Sequence, residues 1–74
     1  MNYLDRIYVD PNIKLGKPVI RNTRITVELI LRKLGEGMTF DDILEAYPNL
    51  KKEDIIAAIK YSADVIGREE MLVS

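Results

Sequence analysis

Between Thr26 and Ile66 the chain repeats one pattern three times, and each repeat is cut short. Val27, Ile30, Leu31 and Leu34 recur at i, i+3, i+4 and i+7, which sets one apolar face on a helix from about Thr26 to Gly35. Thr23 or Thr26 can cap it, and Gly35-Glu36-Gly37 ends it. Phe40, Ile43, Leu44 and Tyr47 repeat the spacing from Thr39 to about Tyr47, with Thr39 and Asp42 as a variant capping box and Pro48 as the stop. A third helix is expected from about Leu50 to Ile66, with Ile55 or Ile56, Ile59, Ala63 and Ile66 facing inward and Gly67 ending it. Three short helices with brief joints bury such stripes by packing on each other, which gives a trihelical bundle. The joint at residues 47–50 is close to helix-turn-helix length.

The segment before this bundle is of another kind. Residues 6–9, RIYV, are aromatic and β-branched and read as a strand, followed by an Asp10-Pro11-Asn12 turn. Residues 18–25 suggest a second strand region, with Pro18 at its start because proline has no ladder donor. Arg21-Asn22-Thr23-Arg24 reads as a tight turn or bulge, and Asn22 is its residue best suited to a left-handed backbone. The expected fold is therefore mainly α, a small α+β protein of one domain. A β-strand or arm region spans 1–25, a three-helix bundle of homeodomain-like type spans 26–67, and a tail spans 68–74.

At 74 residues, without cysteine or histidine, the chain lacks disulfides, thiolate metal ligands and the commonest general base. Small scaffolds without such staples often rely on oligomerisation, so a homodimer is expected. There is no glycine-rich phosphate loop, and the adjacent Asp41 and Asp42 do not converge. No enzymatic activity, cofactor or metal site is expected. No apolar run is long enough for a membrane span and no signal-peptide pattern opens the chain, so a cytoplasmic protein fits best.

The net charge of −1 hides a division. Residues 1–35 carry seven basic and three acidic side chains, and residues 36–74 carry four and nine, giving +4 and −5. Such a division suggests a polyanion or an oppositely charged protein as partner. The stretch GKPVIRNTRIT (16–26) holds Lys17, Arg21 and Arg24 and no acid. With Lys14 close by, these can track phosphates, while an alternating strand turns some of them merely to water. Arg24 can instead pair with Glu28 and hold the strand to the first helix. On the third helix Lys51, Lys52, Ala57, Lys60 and Tyr61 are candidates for a DNA groove. Glu53 and Asp54 in the same turn oppose phosphate approach, although carboxylates at a helix start favour the macrodipole. The candidate DNA-binding residues are thus Lys17, Arg21, Arg24, Lys51, Lys52 and Lys60.

With LDRIYVDPNI (4–13), GKPVIRNTRI (16–25), ILRKLGEGMTFDDILEAYP (30–48) and LKKEDIIAAIKYSAD (50–64) in this order, the chain resembles the bacterial domain of unknown function 433 family. It departs from the family in Asn22, where glycine is usual, and in Lys51, where Thr or Ser often caps the third helix, a role Asn49 can take. The resemblance implies a short β region before a homeodomain-like bundle, and a dimer. It also implies the role of antitoxin in a type II toxin–antitoxin pair, beside a PIN-like nuclease toxin and on its own operator DNA. On this reading the GKPVIRNTRIT segment joins a β region at the dimer interface and sets its cations beside double-stranded DNA. The rival expectation is a protein-interaction module without DNA binding. Its acidic second and third helices, or a tail anchored by Met71, Leu72 and Val73, would clasp a basic partner.

Overall fold

The computed structural model describes the backbone of residues 3–73 and the side chains of residues 3–68. Strands β1 (Ile7–Tyr8) and β2 (Val19–Ile20) precede helices α1 (Val27–Gly35), α2 (Phe40–Ala46) and α3 (Lys52–Val73). The fold is a small α+β one, three helices with a two-stranded antiparallel sheet at the N-terminal end.

Both strand regions are shorter than expected, but they hold more than their length suggests. Ile7 pairs with Ile20 and Tyr8 with Val19, and Ile7, Val19 and Ile20 are all buried. Residues 18–20 bond on two sides. The Arg21 N–H donates to the Arg6 carbonyl (2.8 Å), whereas on the other side Ile20 donates to Ile25 and Val27 donates to Pro18, each at 2.9 Å. Pro18 lacks an N–H but offers its carbonyl, so its place at the strand start suits it. The arm is thereby tied to the segment that leads into α1. Between the two sides runs the expected turn. Asn22 adopts φ 66°, and the Thr23 hydroxyl donates to the Ile20 carbonyl and accepts from the Ile25 N–H.

Helix ends follow the sequence signals closely for α1 and α2. Thr26 caps α1, its hydroxyl accepting from the Leu29 N–H. Gly37 at φ 98° closes the far end: its N–H donates to Leu34 and that of Met38 to Lys33, the paired bonds of a Schellman motif. Thr39 and Asp42 form a reciprocal capping box on α2.

Helix α3 departs from expectation at both ends and in its phase. It begins at Lys52 rather than near Leu50, and Lys51, not Asn49, takes the cap position. Lys51 has no short polar side chain to cap with. Instead the Asp54 carboxylate accepts the Lys51 N–H at 2.9 Å. The helix also runs through Gly67 to Val73, so the expected tail is largely helical. A glycine stops a helix when it takes positive φ, and Gly67 does not. The side chains of Met71, Leu72 and Val73, the proposed anchor, lie outside the described residues. The inner face is Asp54, Ile55, Ala57 and Ala58, with Tyr61 packed against the same core. Of the expected stripe Ile55 is inside, but Ile59, Ala63 and Ile66 are exposed. Ala57 and Ala58 let α3 approach α1 and α2 closely, and Ile20, Ile30, Ile43 and Ile55 fill the space between.

The turn at Asn22 gives a direct check. A β-branched residue in the left-handed region is strained, at about 1–2 kcal/mol. Asn22→Val is expected to lower stability by that amount in urea unfolding, whereas Asn22→Gly holds or raises it.

Candidate nucleic-acid interface

The positive charges of the first half do not spread along the arm; most of them gather. Lys14, Lys17, Arg24 and Arg32 line one cavity of about 440 Å³ with Thr26, Glu28 and Leu29 at the start of α1. Four cations thus surround one carboxylate. Glu28 is bound by Lys17 at 2.8 Å and by Arg32, one turn along the helix, at 3.0 Å. Lys17 first, then Arg32, hold its carboxyl below the ordinary range. The expected Arg24–Glu28 pair does not form, because Glu28 is already shared by these two. Among the described residues, Arg24 and Lys14 carry no side-chain hydrogen bond or ion pair, so their charge stays available to an external anion.

The rim of this cavity is strained. Lys14, Leu15 and Gly16 take φ values of 51°, 58° and 81° in succession. Outside glycine such a conformation costs about 1–2 kcal/mol per residue. It turns the Leu15 side chain out until it is 95 % exposed. Sequence reading gave no hint of Leu15, Lys14's conformation or Arg32's part in the cluster.

Arg21 belongs elsewhere. Its Nε donates to the Asp5 carbonyl at 2.9 Å, and its guanidinium lies 5.2 Å from the centre of the Tyr8 ring. The guanidinium fork thus has fixed partners within the arm, one of them a backbone carbonyl. Of the third-helix candidates, Lys51, Lys52 and Lys60 are exposed. Ala57 is fully buried and Tyr61 packs on the core, so neither stands on a groove-facing surface, and the corrected phase of α3 is the reason. Near Lys51 and Lys52, Asp54 is turned inward: its second carboxylate oxygen accepts from Arg6 Nη1 at 2.9 Å. Glu53 lies 3.9 Å from the same guanidinium. One of the two acids that argued against phosphate approach is therefore buried and neutralised.

Residues 7–62 match the family model described as "Protein of unknown function (DUF433)". The chain belongs to the DUF433 family. A crystal structure of a DUF433 member protein from Anabaena variabilis is similar, with 33% sequence identity and a TM-score of 0.75 over 92% of this chain and 74% of that one. No curated protein matches significantly. In this DUF433 chain the matched span holds the basic cavity, α1, α2 and the first part of α3, and Arg6 lies one residue before it.

Asp42, held down by the Thr39 N–H, joins Glu28 in having a folded pKa below its unfolded one. The stability these two contribute is complete above the unfolded values and is lost as the pH falls through the lower folded ones. Thermal midpoints are expected to drop below about pH 4. The double variant Glu28→Gln, Asp42→Asn should melt lower than wild type at neutral pH and show a flatter acid limb.

Proposed function

We propose that this protein is a small dimeric regulator of the antitoxin kind, which binds double-stranded DNA of its own operator and a PIN-like nuclease toxin in the cytoplasm. The observation that carries the DNA part is the cluster of four cations around Glu28, two of them without a side-chain partner among the described residues, on a body whose α2 and α3 follow each other across a short joint of the length used in helix-turn-helix units. Such a cluster is suited to phosphates, and Lys51 and Lys52 at the exposed start of α3 extend the positive surface available to them. No helix among the described residues is long and apolar enough to cross a membrane, which agrees with the proposed location. The toxin-binding part rests on the family resemblance alone.

A second reading has its own support. Asp41, Asp42 and Glu45 on α2 are exposed, and α3 presents apolar side chains to solvent. A protein-interaction module without DNA binding has such features.

Fluorescence anisotropy with a labelled duplex from the protein's own upstream region separates the two. Saturable binding that prefers this duplex over an unrelated one is expected, weakening with salt. Arg24→Ala and Lys52→Ala should each lower the slope of log affinity against log salt by about 1, as expected for one lost phosphate contact. Arg21→Ala should leave that slope unchanged, since its guanidinium is engaged within the arm. Absence of binding even at low salt would leave the interaction module as the function.

A further inference from the structure

Leu15 is unfavourable to the folded chain in two ways at once. Its side chain is 95% exposed, whereas Leu4 and Ile66, the next most exposed large apolar side chains among the described residues, stand at 56% and 54%. Its backbone takes φ 58° and ψ 31°, between Lys14 at φ 51° and Gly16 at φ 81°. A single exposed leucine is ordinary on a protein surface, but a leucine in the left-handed region is not. A chain that only had to turn here would carry glycine or asparagine, as it does at Gly37 and Asn22. The leucine gains almost no packing in return.

The turn that presents it is fixed. The Ile13 N–H donates to the Asp10 carbonyl at 2.9 Å, that of Gly16 to Ile13 at 3.0 Å and that of Lys17 to Lys14 at 3.1 Å. The Asp10 carboxylate accepts the Asn12 N–H at 2.8 Å. Strain of this kind persists where the surroundings over-determine it, and such places cluster where a ligand is met.

The charge around Leu15 indicates which ligand. Leu15 lines the basic cavity with Lys14, Lys17, Arg24 and Arg32. All four cations are exposed, and Glu28 pairs with two of them. Lys14 and Arg24 have no side-chain partner among the described residues. One leucine supplies little of the roughly 800 Å² that a standard protein interface buries on each side. One apolar side chain is enough, however, to part a base step from the minor groove, and phosphates lie on both sides of that groove to meet the cations.

We propose that Leu15 is a DNA wedge: with Lys14 and Arg24 on phosphates, it enters between two base pairs from the minor groove, partly unstacks them and kinks the duplex. This rests on the duplex binding proposed above and adds a means of reading sequence to it. A kink is least costly at flexible pyrimidine–purine steps, so a TA or CA step is favoured under Leu15 without any hydrogen bond to a base edge. The fixed turn holds the side chain out before DNA arrives, which leaves little to be ordered on binding.

A bend measurement on the full chain tests this. A duplex of about 20 base pairs from the protein's own upstream region carries a donor dye at one end and an acceptor at the other. Saturating wild-type protein is expected to raise energy transfer, as a kink of about 20–90° would. Leu15→Ala should bind the same duplex with an unchanged salt slope, since no phosphate contact is lost, but leave it straight. Leu15→Met keeps a long apolar tip and should retain the bend. Because the side chain is exposed, both variants should keep the helix content of the wild type by circular dichroism. Wild-type binding without a rise in energy transfer, or an equal bend with Leu15→Ala, overturns the wedge and leaves DNA binding standing. Absence of duplex binding even at low salt overturns both.

Discussion

One carboxylate organises the molecule. Asp54 is buried, 6 % exposed, and both of its oxygens are used: one accepts the Lys51 N–H at the start of α3 and the other the guanidinium of Arg6 in the arm. A buried carboxylate without such partners is costly, so its need for them fixes the structure around it. It begins α3 at Lys52 in the absence of a hydroxyl cap. It also sets the helix's phase. With Asp54 turned inward, Ala57, Ala58 and Tyr61 follow at i+3, i+4 and i+7, and Ile59, Ala63 and Ile66 are rotated outward. The exposure of these apolar side chains is thus a consequence of where one acid has to point.

The same pair makes arm and bundle one body. Arg6 sits beside β1, β1 pairs with β2, and β2 bonds on its far side to the residues that enter α1. The chain from Arg6 to Asp54 therefore closes a loop through the arm, α1 and α3. Because the arm is fixed, Lys14, Lys17 and Arg24 are held against α1 rather than spread in solvent. Glu28 is their shared counterion, and it leaves a surplus of positive charge on the surface of that face.

Much of this was readable in the sequence where a local signal decides the structure. The stripe of α1, a threonine cap before it (Thr26 of the two offered), an end within Gly35-Glu36-Gly37, the Thr39–Asp42 box and the left-handed Asn22 each depend on neighbours within a few residues, and each is found in place. What was not readable depends on distant partners. The inner face of α3 starts on an acid and continues through two alanines, so periodicity favours the isoleucines instead. Only the contact with Arg6, 48 residues away, shows that Asp54 is a core residue. The same holds in part for the cation cluster: Arg32 lies one turn from Glu28 on α1, a local pair, but Lys17 is 11 residues away, and only the fold shows that it also holds Glu28 and leaves Arg24 without it. Leu15 gives no signal because its exposure comes from three successive left-handed residues, two of them not glycine.

The most direct test of this account is a double-mutant cycle between the arm and α3. Urea unfolding would be measured for the wild type, Arg6→Gln, Asp54→Asn and the double variant. Asparagine keeps an acceptor for the Lys51 N–H, so the cycle isolates the contact with Arg6. A coupling energy of about 1–3 kcal/mol is predicted, with the arm and bundle unfolding in a single transition. Additive effects of the two substitutions, or a separate early transition of the arm, would contradict the claim that Asp54 joins them.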